Sequence, residues 1–308
     1  MFHKKIPILI LLFIFLFCIN LQAGQNTITI SKVTSHFRKQ YQQLKPLIKY
    51  VAKQLKHMGI KKGKVLLARN NQELIKLVKE GKVDIVTETP FSSMLFIKKA
   101  GMKVLLRSWK KGVANYHSVI FVRRDSNIKS LKNLKGKVIA FEDPGSTTGY
   151  FLPKAEIMKE GFQLVELNNY REKPPSDKIG YCFANGEVNI GHWVHKGVVA
   201  AGVLDNLEYQ HPEKVPVKFM PDFKIIYATD EVPRALILIR GNIDPQLQRE
   251  IKKILVNMKF SKEGRKVMWK MSKTVNFDEF PEGPEETMKK FKEKYTLIIE
   301  ELEKSEIK

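Results

Sequence analysis

Residues 138–150 read VIAFEDPGSTTGY, and they join an apolar, strand-like run to the start of a helical one, FLPKAEIMKEGF. A Pro-Gly pair marks a turn between the two elements. The next three residues, Ser146, Thr147 and Thr148, stand where the helix begins. Their hydroxyls beside the free N–H groups of a helix N-terminus can bind an anion. Ser and Thr at this position also cap ordinary helices, so both interpretations stay open on this stretch alone.

Upstream of this turn, strand and helix patterns alternate. We predict a strand at 27–30, a helix at 36–58 ended by Gly59, a strand at 64–68 and a helix at 72–80 capped by Asn70 or Asn71. A strand through VDIVTETP, a helix to Ala100 and a strand at 104–106 complete the series. This β-α-β-α-β order is typical of a parallel sheet covered by helices.

A second series follows a long β-rich run at 116–122. It contains a helix at 130–136, the strand and turn quoted above, and a strand at 163–167. We then expect a helix at 176–186, a strand at 188–191, further strands within 217–229 and 234–240, a basic helical segment over 244–271 and a last helix after Pro284.

Two α/β series joined by extended runs predict two lobes linked by crossing strands. The chain is expected to leave lobe I near residue 116 and to return near 230, so lobe I takes 24–115 plus 231–308 and lobe II takes 116–230. Ligands of such folds bind at the carboxyl ends of the strands, in the cleft between the lobes.

The amino terminus has the form of an export signal. Lys4 and Lys5 precede an apolar run of about fourteen residues, shorter than the ~20 needed to span a bilayer. Residues 21–23 resemble a signal peptidase site, so we expect a signal peptide over residues 1–23 and a periplasmic protein. A retained membrane anchor, or a lipoprotein attached through Cys18, is the alternative.

The chain is strongly basic, with 54 Lys and Arg against 32 Asp and Glu and a net charge of +22. This excess favours anionic partners, although scattered lysines are also an ordinary solvated surface. Zinc-finger spacing and RNA-binding aromatic motifs are absent from the sequence, and export argues against nucleic acid as a partner. Cys182, the single cysteine left after signal removal, lies in an apolar stretch and is expected to be an inert buried thiol.

Three stretches resemble the phosphonate/phosphite/phosphate-type substrate-binding proteins of ABC transporters. They are GKVDIV (81–86), the run 116–153 and ANGEVNIG (184–191), and the similarity covers most of residues 28–275. The resemblance implies an α/β, two-lobe periplasmic-binding-protein-like fold of type II, with a mostly parallel sheet in each lobe. It further implies that Ser146, Thr147 and Thr148 hold the oxygens of a phosphonate, and that the closed protein docks on membrane permease subunits.

Several positions depart from the family's pattern. Asn71 stands where phosphonate binders commonly have a tyrosine, Glu88 lies near the position of a second aromatic residue, and Ser176 replaces a histidine. Ala235 replaces an acidic residue. Glu88 would repel a bound dianion, but it would suit a ligand that also carries an amine. The predicted ligand-binding residues are Ser146, Thr147, Thr148, Glu88, Asn71, Ser176 and Tyr116.

Catalytic motifs are missing from the sequence, which contains no G-x-S-x-G, P-loop lysine or H-E-x-x-H. His192 and His195 have helical spacing but no acidic or cysteine partner nearby, so we expect no metal, no cofactor and no catalysis. The sequence therefore predicts a monomeric, exported protein that captures a small oxyanion and delivers it to an ABC importer. The alternatives are a ligand sensor of the same fold acting on a membrane receptor, and a scaffold that has lost its ligand.

Overall fold

The fold was analysed in a computed structural model that describes residues 26–306. The predicted signal peptide and Cys18 lie outside these residues. Between residues 26 and 306, no helix is both long enough and apolar enough to cross a membrane.

The described residues contain the following strands: β1 (Thr27–Ser31), β2 (Lys62–Val65), β3 (Ile85–Glu88), β4 (Met102–Ser108), β5 (Asn115–Tyr116), β6 (Ser118–Arg123), β7 (Val138–Phe141), β8 (Leu164–Glu166), β9 (Ile179–Phe183), β10 (Ala201–Asp205), β11 (Phe223–Ala228), β12 (Val232–Pro233), β13 (Leu236–Arg240) and β14 (Phe277–Asp278). They form two six-stranded sheets and one two-stranded ribbon.

The α-helices are α1 (Phe37–Gln54), α2 (Asn71–Lys79), α3 (Pro90–Ala100), α4 (Leu152–Lys159), α5 (Glu187–His195), α6 (Asn206–Tyr209), α7 (Pro245–Asn257), α8 (Lys262–Lys270) and α9 (Pro284–Glu306). A π-helical turn, Thr147–Phe151, leads directly into α4.

The first sheet has the strand order β14-β4-β13-β3-β1-β2. Strands β1, β2, β3 and β4 run in one direction, and β13 and β14 run against them. The residues of β3 and the first four of β13 are buried, which explains the apolar LILI of β13 and the apolar Ile85 and Val86 of β3. The carboxyl ends of β1, β3 and β4 therefore meet at one edge of this sheet.

The second sheet has the order β11-β6-β10-β7-β9-β8, in which β6 alone is antiparallel to its neighbours. Its strands come from residues 118–228, whereas those of the first sheet come from residues 27–108 and 236–278. The chain passes between the two sheets twice. The two passages pair as the antiparallel ribbon of β5 with β12, in which Tyr116 lies opposite Val232.

An aromatic cluster joins layers that belong to the two sheets. Phe151, at the start of α4, stacks on Phe91 of α3 with ring centroids 4.2 Å apart. Phe291 and Tyr295 of α9 pack on the same Phe151 ring, at 6.0 and 5.7 Å. The carboxyl-terminal helix, which follows the first sheet in sequence, therefore covers α4 of the second.

The prediction for residues 176–191 was wrong. The segment expected to be a helix contains β9, and the segment expected to be a strand lies in α5. Ile179, Tyr181 and Cys182 are buried in a strand flanked by β7 and β8, which an amphipathic helix would not allow. Asn185 and Gly186 then adopt positive φ, and the helix starts only after them.

The predicted helix over 244–271 is interrupted. Helices α7 and α8 are separated by a 3₁₀ turn, Met258–Phe260, and by the cap Ser261. The expected helix at 130–136 is a short 3₁₀ turn, Leu131–Leu134. Cys182 is buried, and burial raises the pKa of its thiol to about 11, so it lacks the thiolate needed for reactivity near neutral pH.

A buried carboxylate ties the first sheet together and provides a test of this fold. Asp84 is 1% exposed, and its carboxylate accepts hydrogen bonds from the Thr29 amide (2.8 Å) and the Arg240 guanidinium (3.0 Å). Asp84→Ala should lower the free energy of unfolding by about 1.5–3 kcal/mol, because it removes the charged acceptor of the buried Thr29 amide and of the Arg240 guanidinium. Urea unfolding measures this change.

Lys53→Ala is the matched control. It removes an exposed pair with Glu263, whose charged atoms are 3.3 Å apart, and should cost less than about 1 kcal/mol. Equal effects of the two substitutions would contradict the structural role of Asp84.

Candidate functional site

The carboxyl edge of the first sheet surrounds a small cavity of about 40 Å³. Much of its polar lining comes from the ends of β1, β3 and β4 and from the residues that follow them, namely Lys32, Thr87, Glu88, Thr89, Ser108 and Lys110. Gln40 and Gln43 of α1, with Ser272 and Thr274 after α8, supply the remaining polar groups. This edge is where a ligand is expected in an α/β fold.

Glu88 is held by groups of the protein itself. Its carboxylate accepts the Val33 amide at 2.9 Å and the Thr89 amide at 3.2 Å, and it pairs with the Lys32 ammonium at 3.3 Å. These contacts neutralise the charge that appeared repulsive in the sequence. Glu88 therefore fixes the ends of β1 and β3 and positions Lys32 at the cavity.

Lys110 was not predicted as a site residue. It follows β4 and lines the cavity, where burial lowers the pKa of its ammonium to about 7, with further lowering by the nearby charges of Arg234 and Lys32. Among the residues that the structure describes, it forms no ion pair. The signal available in the sequence was its position just beyond a strand whose carboxyl end faces the predicted cleft.

The turn that follows β7 begins with a capped helix. The Ser146 hydroxyl accepts a hydrogen bond from the Gly149 amide at 2.9 Å and donates one to Glu142 Oε2 at 2.7 Å. Its single hydrogen is directed at Glu142. Ser146 thus acts as a helix cap in this structure.

Thr147 meets the first lobe directly. Its hydroxyl oxygen accepts a hydrogen bond from the Phe91 amide at 3.3 Å, and that amide belongs to the first turn of α3. Two helix N-termini, one from each lobe, therefore approach each other at Thr147. Because each carries partial positive charge, their junction favours an anion.

Tyr116 lies beside Thr148 and under Arg234. The guanidinium carbon of Arg234 is 4.2 Å from the centroid of the Tyr116 ring, and its Nη1 is 3.2 Å from Oδ2 of Asp205. Burial raises the pKa of the Tyr116 phenol, while Arg234 and a hydrogen bond with Thr148 lower it. The buried Arg234 Nε has no hydrogen-bond partner.

A pair of carboxyl groups lies behind the turn. Burial, followed by the nearby charge of Glu187, raises the pKa of Glu142 to about 8. Glu187 shares a hydrogen bond with Glu142 and pairs with the Lys214 ammonium at 3.2 Å. Glu142 is therefore the protonated member of the pair at neutral pH.

Asn71 and Ser176 are not joined to this cluster. Asn71 is the first residue of α2, whose cap is Asn70, with its side chain accepting from the Glu73 amide. Ser176 is exposed, and a Cβ atom on Gly136 would lie 3.5 Å from its Cα. Because β7 starts just after Gly136, Ser176 lies at the amino edge of the second sheet, opposite the cleft.

The histidines of α5 also have structural partners. His195 stacks on Phe219 at 3.7 Å and lies 3.0 Å from Asp222, and His192 bonds to the Val188 carbonyl. Within residues 26–306, no group of three or more potential metal ligands is present.

A family model matches residues 34–282. Its description is "ABC transporter, phosphonate, periplasmic substrate-binding protein". Because this match spans most of the chain, the protein belongs to that family of periplasmic binding proteins, and the two-lobe α/β fold of the type II class is confirmed.

Solved structures and a curated relative agree with this assignment. XAC2383 from Xanthomonas citri bound to chloride ion is 26% identical with a TM-score of 0.85, covering 90% of this chain and 100% of that one. The same protein bound to ATP is 27% identical with a TM-score of 0.83, covering 89% and 98%. PhnD1 from Prochlorococcus marinus with methylphosphonate has 17% identity and a TM-score of 0.63, covering 87% and 97%, and supports the fold alone.

The phosphate-import protein PhnD of Mycolicibacterium smegmatis is 32% identical over 120 residues. The match covers 38% of this chain and 36% of the relative. The chain therefore matches only about a third of the length of this curated relative.

The protonated state of Glu142 predicts a pH dependence of stability. Because folding raises this pKa from 4.5 to about 8, the neutral carboxyl stabilises the folded state fully below pH 4.5, and this contribution is lost progressively as the pH rises from 4.5 to about 8. Between pH 5 and 8, wild-type protein should lose at least ~1 kcal/mol of unfolding free energy relative to Glu142→Gln. Urea titrations at fixed pH values measure the difference.

Glu160→Gln, at the exposed end of α4, is the control and should leave the wild-type slope unchanged. A constant difference between wild type and Glu142→Gln across this range would mean that Glu142 is ionised in the folded protein.

Proposed function

We propose that the protein captures a small phosphorus oxyanion, such as a phosphonate, phosphite or phosphate, between its lobes and delivers it to an ABC importer. The observation that carries this proposal is the junction at Thr147, where the first turn of α3 meets the turn after β7. Arg234 lies beside Tyr116 and Thr148 at this junction, and Lys110 and Lys32 line the neighbouring cavity, so positive charge is present at both places. Binding of this kind requires no catalytic step.

The ligand contacts that we propose are fewer than those expected from sequence. Thr147, Thr148 and Tyr116 remain, because they lie together at the junction, and Arg234 is added. Ser146 and Glu88 are proposed as supports that hold the turn and Lys32 in place. Asn71 is left as a helix residue, and Ser176 is excluded by its position at the far edge of its sheet.

The relatives support an anionic ligand. XAC2383 is bound to chloride in one structure and to ATP in another, and both are anions. We further propose that residues 1–23 are a cleaved export signal, that the mature protein is periplasmic and monomeric, and that lobe I (24–115 plus 231–308) closes on lobe II (116–230) by hinge motion at the β5–β12 ribbon.

A sensor of the same fold would use the same cleft and differ in its membrane partner. Import predicts that the liganded protein stimulates ATP hydrolysis by its permease–ATPase complex in liposomes. Ligand binding without such stimulation, together with activation of a receptor, would favour sensing.

Ligand capture is tested by thermal unfolding with phosphate, phosphite, methylphosphonate, 2-aminoethylphosphonate and sulfate. A bound oxyanion should raise the melting temperature by mass action. Thr147→Val should weaken binding by about tenfold or more, because it removes a hydroxyl at the junction; hydrogen bonds to charged groups contribute about 1.5–3 kcal/mol. Isothermal titration calorimetry measures the affinity.

Thr147→Ser keeps the hydroxyl and should retain wild-type affinity within a few-fold, and Thr296→Val, on α9, is the control for loss of a threonine hydroxyl elsewhere. If no oxyanion changes the melting temperature while a neutral or cationic compound does, the proposed function is wrong.

A further inference from the structure

The cavity at the carboxyl edge of the first sheet is distinct from the threonine turn. Thr89 lines the cavity and is also the cap residue of α3, two positions before the amide that binds Thr147. The first residues of α3 therefore border both the turn and the cavity.

The charge balance of the cavity is positive. Both oxygens of Glu88 already accept hydrogen bonds from backbone amides, and the carboxylate is paired with Lys32. Lys110 has no such partner within the described residues. Burial and the positive charges of Arg234 and Lys32 all lower the pKa of Lys110 and so disfavour its charged form, whereas the negative charge of Glu88 raises this pKa. An anion placed here would relieve this repulsion.

A second, independent feature is a buried hydroxyl. The Ser108 side chain lines the same cavity, the residue is 1% exposed, and its Oγ has no hydrogen-bond partner. Leaving a buried polar group without a partner is costly, so a ligand acceptor at this position would lower the free energy of the complex.

The size of the cavity limits the group that it can accept. A volume of about 40 Å³ holds roughly three or four water-sized atoms, since one water needs about 10–15 Å³. A carboxylate has this size. A triphosphate is too large for the cavity.

We propose that the cavity is a subsite for a carboxylate on the ligand, held by Lys110, Lys32 and the Ser108 hydroxyl. The preferred ligand class is then a short phosphonocarboxylate, with its phosphonate at Thr147 and Thr148. This inference rests on the proposed function and names the ligand class of the same cleft. An aminoalkyl group is disfavoured because it would meet two lysines, while Glu88 is already paired.

The test compares ligands that differ in one group. Phosphonoacetate and 3-phosphonopropionate should bind about tenfold or more tightly than ethylphosphonate, and 2-aminoethylphosphonate should bind more weakly than ethylphosphonate. Calorimetry at pH 6.5 gives these affinities with Lys110 largely protonated.

Two variants assign the preference to the cavity. Lys110→Met should reduce the preference for phosphonoacetate over ethylphosphonate to about threefold or less, and should weaken methylphosphonate binding by a smaller factor than phosphonoacetate binding. Ser108→Ala should also reduce the preference for phosphonoacetate, but by less than Lys110→Met does. Lys103→Met, an exposed lysine near the other end of β4, should change nothing.

Proton uptake gives a separate readout. Binding of a carboxylate beside Lys110 should draw a proton onto its amine at pH 8, so the apparent enthalpy should depend on the ionisation enthalpy of the buffer. The ligand's own phosphonate contributes equally to wild type and Lys110→Met, so the difference between the two proteins reports on Lys110.

The outcomes separate this inference from the proposed function. Binding of methylphosphonate with no gain for phosphonoacetate overturns the carboxylate subsite and leaves oxyanion capture intact. If phosphonoacetate keeps its full advantage over ethylphosphonate in both Lys110→Met and Ser108→Ala, the carboxylate does not bind in this cavity. Failure of every oxyanion to bind removes the proposed function itself.

Discussion

The antiparallel pairing of β5 with β12 is the constraint on which the rest of this structure depends. It brings the two passages of the chain together, and the adjacent Arg234 amide donates to the Ala114 carbonyl at 2.7 Å. Tyr116 and Arg234 lie at this crossing and stack on each other. The residues that join the sheets therefore also stand at the junction of the two carboxyl edges, so a change in the angle between the lobes changes the site directly.

The helix-capping and anion-binding interpretations of the turn after β7 apply to different residues of that turn. Ser146 uses its hydroxyl to cap the helix and to contact Glu142, whereas Thr147 and Thr148 are directed toward the other lobe and the crossing ribbon. The sequence could not make this division, because it contains no information on which hydroxyl is satisfied locally. Whether the Ser146 hydroxyl is satisfied locally depends on Glu142, whose carboxyl group accepts its hydrogen bond. Glu142 can act in this way because it lies beside Glu187 and away from bulk water.

Much of the fold could be predicted, because the strand and helix patterns before residue 170 are long and regular. The segment 176–191 could not, since a short apolar run such as Ile179–Phe183 fits either a buried strand or a helix. Ser176 was aligned with a histidine that the family's pattern places before a helix, but the residues directly before the observed helix α5 are Asn185 and Gly186, at the carboxyl edge of the sheet. Lys110 was missed because its importance comes from neighbours that are distant in sequence.

Net charge and local charge have different meanings in this protein. The excess of +22 is spread over the chain, and most of it lies on ordinary exposed lysines. At the cleft, by contrast, Glu88 and Asp205 pair with Lys32 and Arg234, and Lys110 is left without a counter-ion among the described residues. A half-buried lysine without a counter-ion destabilises the empty site, and an anion that neutralises it recovers that free energy on binding. The same arrangement that weakens the empty cleft therefore favours binding of a ligand of the opposite charge.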